Sequence, residues 1–165
     1  MSALNIEEGA VVGLDANLFL YVATKNKKYS DSCTNLFGRI RDEELIGVTS
    51  VIILDEVVYK IMLFEVMEKY GVGLKEASPM LKNKPEIIKN LEKPKRILQD
   101  IIAMGVEIKP LDVNMMIYAE EISRKYLLKP HDAILVATLK KFGVNNIVTN
   151  DLDFERIEGF NIWRP

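Results

Sequence analysis

The sequence predicts an α/β domain with a central, mostly parallel sheet covered by helices on both faces. Three observations carry that prediction. Short apolar runs alternate along the chain with longer stretches of helical periodicity. The runs, such as VVGL at 11–14 and IVT at 147–149, are apolar or β-branched at successive positions, as strands buried on both faces require. No internal repeat, low-complexity tract or linker interrupts the 165 residues, a length that fits one domain with a sizeable core.

Val11 to Leu14 reads as the first strand. Asn17 to Ala23 and Asp31 to Arg41 read as helices separated by the polar turn KNKKYS. Leu45 to Thr49 is the second strand. Ser50 then stands where a helix N-cap belongs, ahead of an apolar-periodic segment reaching about Tyr70, where Gly71 stops it. Gly71 to Lys84 reads as loop, punctuated by Pro79 and Pro85. Ile87, Ile88, Leu91, Leu98, Ile101 and Ile102 keep helical spacing, with Pro94 marking a kink or a break. Val106 to Lys109 is the third strand, and Asp112 can cap a helix running to about Leu127. Pro130 opens another helix, whose interior AILVATL is apolar on nearly every side, and Gly143 closes it. Ile147 to Thr149 is the fourth strand and Phe160 to Trp163 a candidate fifth.

Composition narrows the function classes. A chain that is 48% hydrophobic and 28% charged is an ordinary globular composition and argues against disorder. Its formal net charge of −2 supplies no global positive field, so nucleic acid would have to be held by local patches or by bound metal. The single cysteine, Cys33, excludes an internal disulfide and a cysteine-based zinc cluster, and fits a reducing, cytoplasmic setting. MSALNIEEGA has no basic region followed by an apolar one, so no secretory signal is expected. The early apolar stretch VVGLDANLFLYVA is broken by Asp15 and Asn17 and is too short to span a bilayer. A bias to Ile, Lys and Glu with a single glutamine, Gln99, is of the kind found in thermophile proteins.

The acidic residues hold the chemistry. In open parallel sheets, ligands bind beyond the carboxyl ends of the strands. Asp15 ends the first strand and Asp151 follows the fourth, while Asp132 sits in the first turn of the helix opened by Pro130. A plain first-turn acid favoured by the helix dipole is the bland alternative for Asp132. On the helix after Ser50, Ile53, Leu54, Val57, Val58, Ile61 and Phe64 cover an arc of about 140° at roughly 100° per residue. Glu56 is read as lying along the packed margin of that helix and Asp55 as facing water. An exposed Glu56–Lys60 pair is the bland alternative there. Together, Asp15, Glu56, Asp132 and Asp151 come from distant points of the chain, each near a strand end or a helix start. Gathered like charges repel. Such a cluster is worth holding mainly for hard divalent cations, Mg2+ or Mn2+, which polarise a phosphodiester and activate water. Asp151 and Asp153, two apart in IVTNDLDFERI, then become metal ligands, direct or through water.

The stretches VVGLDANLFLYVA, TSVIILDEVV, HDAILVATLKKFG and IVTNDLDFERIEGFNIWRP resemble the PIN-domain family, and more closely its VapC-type toxins. They occur in the family's order and span nearly the whole chain. The resemblance implies a three-layer α/β/α fold and a metal-dependent endoribonuclease that leaves a 3′-hydroxyl and a 5′-phosphate. It implies that Asp15, Glu56, Asp132 and Asp151 form the acidic site, with Asp153 as neighbour or substitute. Asn17, Ser50 and Thr149 match polar positions that support the first carboxylate or the metal waters. Toxin members are commonly homodimers neutralised by a small antitoxin. The region 61–105 is longer than in the compact toxins, so a helical insertion in a single domain is expected there, as a lid, a dimer surface or a substrate arm. An RNA-processing nuclease, or a PIN module that binds RNA or protein without cutting, shares these features.

Lys82, Lys84, Lys89, Lys93, Lys95 and Arg96 make a locally basic segment, balanced by Glu86, Glu92 and Asp100 on what reads as an exposed helix face. Lys25, Lys27 and Lys28 follow the first strand closely and are better placed by topology to touch substrate. Tyr29 beside them reads as an exposed loop tyrosine. His131 reads as a solvated first-turn residue and Cys33 as core, and Met115 and Met116 read as packing. YGVGLKE lacks the third glycine of a dinucleotide fingerprint. A haloacid-dehalogenase-type phosphatase would place a second aspartate two residues after Asp15, where this chain has Asn17.

Overall fold

The computed structural model describes all residues from Met1 to Pro165. Its five strands are β1 (Val11–Leu14), β2 (Ile46–Ser50), β3 (Glu107–Lys109), β4 (Asn146–Val148) and β5 (Asn161–Trp163). All pair in parallel, in the order β3-β2-β1-β4-β5. Seven α-helices connect them: α1 (Ala16–Ala23), α2 (Ser30–Arg41), α3 (Val51–Tyr70), α4 (Leu74–Asn83), α5 (Lys93–Ala103), α6 (Val113–Tyr126) and α7 (Pro130–Lys141). The predicted three-layer α/β/α arrangement is what forms.

Strand register and two glycines fix the layers. Val12 pairs with Gly47, and Gly13 with Val48, so each pair shares a face of the sheet. A methyl group on Gly13 would meet Leu139 of α7 at 2.4 Å, and one on Gly47 would meet Ile40 of α2 at 2.7 Å. Helices α2 and α7 therefore press on opposite faces at points where only glycine leaves room. Between them Val12, Leu14, Ile147 and Val148 are fully buried, which is why these strands read as unbroken apolar runs.

The region 71–84 departs from the expected loop, because Leu74–Asn83 is helical despite Pro79 inside it. Gly71, at φ 65, ends α3 in the left-handed conformation, and the Glu76 carboxylate then accepts the Gly73 N–H at 2.8 Å. Leu63 and Val66 of α3 with Ala77, Leu81 and Ile87 form a small second apolar cluster. Burying large side chains at about 1.5–3 kcal/mol each outweighs the ~3 kcal/mol that an interior proline costs. Pro94 proves to be a break, lying in the first turn of α5 after a 3-10 turn over Pro85–Asn90. Met115 is core as expected, but Met116 is 46% exposed and belongs to the outer face of α6.

Candidate active site

The strand order reverses at β1: β2 and β3 extend to one side, β4 and β5 to the other. A crevice opens at such a switch point, beyond the carboxyl ends of the two strands. Asp15 follows the last residue of β1 and Asp151 lies three residues past β4, so both stand at its mouth.

Asp15 occupies the N-cap position of α1, yet its side chain does not cap the helix. It is 4% exposed and takes other donors. The Thr149 hydroxyl donates to its Oδ2 at 2.7 Å and the Asn17 amide at 3.2 Å. The same Thr149 oxygen accepts the Asp151 N–H at 2.9 Å, so one buried hydroxyl ties the carboxylate of β1 to the turn after β4. Arg164 braces that turn from behind, donating to the backbone carbonyls of Thr149 at 2.8 Å and Asp151 at 3.3 Å.

Helices α3 and α7 bring the remaining acids. Glu56 is half-buried and lies between two cationic or potentially cationic groups. Lys60 Nζ is 2.5 Å from its Oε1, and His131 Nδ1 is 3.3 Å from its Oε2. Asp132 projects from the first turn of α7. These groups line one cleft of about 280 Å3 whose wall is polar apart from Pro130, shared by Asp15, Asn17, Glu56, Asp132 and Asp151 together with Lys60, Lys129 and His131.

The crowding has an electrostatic signature. Burial pushes the Asp15 carboxyl above its ordinary value, and the charges of Glu56 and Asp151 add to this, while the Thr149 hydroxyl and the Ala16 amide pull the other way. Asp132 is raised to about 6, first by burial, then by the charges of Asp15, Asp151 and Glu56, with Lys129 opposing them. Asp15 and Asp132 are thus held harder to ionise, in part by their acidic neighbours, the situation a bound cation would relieve.

Not every expected residue lines the cleft. Asp153 is turned aside: its carboxylate pairs with Arg156 within the same 3-10 turn, and its backbone N–H donates to Asp151 Oδ1 at 2.9 Å. Thr149 acts from beneath, as the donor to Asp15. Ser50 holds the N-cap position of α3, but its hydroxyl is buried, caps nothing and has no hydrogen-bond partner. His131 stays 43% exposed at its side chain, as a first-turn residue, yet reaches Glu56. Three contributors escaped the sequence: Lys60 as a wall of the cleft, Lys129, and Arg164. The first two have a signal in hindsight, Lys60 one helical turn after Glu56 and Lys129 three residues before Asp132.

A sequence model of the PIN domain matches residues 12–159. This chain belongs to the PIN domain family. Among curated relatives, Ribonuclease VapC2 of Methanocaldococcus jannaschii is 25% identical over 164 residues, 98% of each chain. Ribonuclease VapC6 of the same organism is 29% identical over 129 residues, 77% of this chain and 82% of that one. Two solved structures share the PIN fold at low identity. VapC20 of Mycobacterium tuberculosis, described as a sarcin-ricin loop cleaving toxin, superposes with a TM-score of 0.62 at 15% identity, covering 93% of this chain and 99% of its own. VapBC2 of Rickettsia felis, solved with a promoter DNA fragment, gives 0.59 at 16% identity, covering 93% and 98%.

Proposed function

We propose that this PIN-domain protein is a divalent-metal-dependent endoribonuclease, the toxin of a toxin–antitoxin pair. The observation that carries it is the convergence of Asp15, Glu56, Asp132 and Asp151, from four separate elements, on one polar cleft at the switch point of the sheet. The names of its curated relatives, both ribonucleases, support the substrate class.

The donor set suits Mg2+ or Mn2+, because every acidic group facing the cleft offers hard oxygen. No three acidic, His or Cys side chains converge closely enough to enclose an ion unaided. An ion of the magnesium type keeps several waters and leans on one or two carboxylates and substrate phosphate, so the other carboxylates of the cleft would reach it through water. Asp15, Glu56, Asp132 and Asp151 would hold it, with Asp153 fixing the Asp151 turn as their neighbour. Bound there, the ion would polarise the scissile phosphodiester and lower the pKa of an attacking water. Asp15 is preset for this by Thr149 and Asn17, so it needs little rearrangement. Glu56 would hold the ion in place of its present Lys60 and His131 partners, which would leave Lys60 and Lys129 to bind substrate phosphate.

In this proposal the chain is a single PIN-like domain in which 61–105 is a helical insertion. It works in the cytoplasm as a homodimer and is silenced by a small antitoxin. No helix is long and apolar enough to cross a membrane. The test is cleavage of a labelled single-stranded RNA with Mg2+ or Mn2+. Wild type should cut, EDTA should stop it, and Asp15→Asn should be at least tenfold slower. Equal cutting by wild type and Asp15→Asn would remove the acidic cleft from the reaction.

A further inference from the structure

We propose that the groove between α1, α3 and α5 is a subsite for single-stranded RNA, where Lys25, Lys93 and Arg96 hold phosphates of the strand leaving the acidic cleft. The inference builds on the nuclease function and assigns a role to the helical insertion.

The groove is a cavity of about 450 Å3 with an apolar floor that includes Val22, Ile61, Ile97 and Met104. Its rim carries Lys25, Lys93 and Arg96 against one acid, Asp100. Lys25 and Arg96 have no carboxylate partner, and Lys93 alone is paired, with Glu68. In a chain of net charge −2, whose catalytic cleft is itself acidic, this concentration of cations is what a polyanion needs nearby. Apolar floor and cationic rim match the two chemistries of an unstacked strand: base faces inward, phosphates outward.

The groove and the cleft are built on the same two helices. Both follow the seam between α1 and α3: Asn17 and Lys60 line the cleft, and Val22 and Ile61 line the groove. From Asp15 to the end of α1 the rise is about 12 Å at 1.5 Å per residue, a span that a few nucleotides of an extended strand cover.

The basic turn is also held in place. Glu65 of α3 is 1% exposed, and its carboxylate accepts the backbone N–H groups of Glu92 at 3.1 Å and Lys93 at 2.9 Å while pairing with Lys69 at 2.7 Å. A buried acid is expensive unless fully bonded. Here it pins the first turn of α5, the turn that carries Lys93 and Arg96, to the helix that carries Glu56. Those N–H groups are consumed by Glu65, so the phosphate contacts belong to the side chains. Lys25 sits at φ 51, a left-handed position where glycine is the usual occupant, and there it turns a cation onto the rim.

The test compares wild type with the triple variant Lys25→Gln, Lys93→Gln, Arg96→Gln, and with a control of equal charge loss outside the groove, Lys82→Gln, Lys84→Gln, Lys89→Gln. Binding of a labelled 12-nucleotide RNA is followed by anisotropy in EDTA over a salt series, so no catalysis is needed. Loss of three phosphate contacts should reduce the slope of log K against log salt by about 2, at ~0.7 per contact for single strands, and the control should keep the wild-type slope. With Mn2+, cleavage of the 12-mer should fall at least tenfold in the triple variant while a tetranucleotide is cut as by wild type. A slope change shared by the control, or below ~0.7, overturns the proposal and leaves the groove to a protein helix. Equal loss on both substrates also overturns it. Failure of wild type to cut any RNA would instead count against the nuclease function, while the EDTA slope still decides the groove.

Discussion

Replacing Asp132 by Asn should make the metal-free protein more stable at neutral pH while weakening its grip on metal. The Asp132 carboxyl accepts no hydrogen bond within the protein and feels the charges of Asp15, Asp151 and Glu56, which with burial raise it from 3.8 to about 6. A raised acid favours its protonated form in the folded state, so the contribution of Asp132 to stability is fully present below about pH 4. That contribution is lost as pH climbs through the window from 3.8 to about 6, where the unfolded chain has already released the proton. The full rise corresponds to at most ~3 kcal/mol, and Asp132 is partly exposed, so solvent screening reduces this to about 1–2 kcal/mol. For a chain of this size that is a gain in Tm of roughly 2–8 °C. Calorimetry in EDTA from pH 4 to pH 8 reads it. The Asp132→Asn substitution should raise Tm at pH 7–8 and leave it unchanged at pH 4. A gain of the same size at pH 4, or no gain at pH 8, would refute the electrostatic argument.

Thr149→Val removes the donor to Asp15 and the acceptor for the Asp151 N–H; both losses are buried, so stability should drop by about 1–3 kcal/mol in denaturant titration, cleavage should fall, and Thr149→Ser should restore most of both. Lys60→Met frees Glu56 from its ion pair, so Mn2+ should bind more tightly by calorimetry, and unchanged affinity would show that the pair does not compete with metal. Gly13→Ala drives a methyl group to 2.4 Å from Leu139; by overpacking it should cost about 1–3 kcal/mol in thermal unfolding.

The middle of the sheet is legible because β1, β2 and β4 are largely buried and so carry a mostly apolar signal; for Val11–Leu14 that signal matches the strand to the residue. Asp15, Glu56 and Asp151 are legible for a related reason: each stands just past the C-terminal edge of a strand or in the early turns of a helix that follows one, and parallel topology brings such positions together. Asp132 is legible instead as an acid in the first turn of α7, behind Pro130. Helical angle does not separate Glu56 from Asp55, since each lies about 60° outside one edge of the apolar arc at roughly 100° per residue. Only the packed structure puts Glu56 in the cleft wall and leaves Asp55 exposed. Helix α4 is hidden by Pro79, whose local cost is overridden by Leu63 and Val66, residues that sequence order does not show as its packing partners. The role of Asp153 is equally hidden. The sequence shows two aspartates two apart, and only the turn geometry decides that Arg156 takes one and the cleft the other. Arg164 braces Thr149 from the far end of the chain, a contact across 15 residues that no local pattern encodes. The basic segment from Lys82 to Arg96, which reads as one solvated face, is divided by the break at Pro94: Lys93 and Arg96 turn to the groove, and Lys82, Lys84 and Lys89 to solvent.

The central claim is that the four carboxylates form one divalent-metal site. Calorimetric titration of Mn2+ into wild type and Asp15→Asn, at pH 7.5 so that Asp132 is ionised, tests it most directly. The account predicts saturable binding to wild type, with affinity at least tenfold weaker in the variant. Absence of binding to wild type, or identical isotherms for the two proteins, would contradict it.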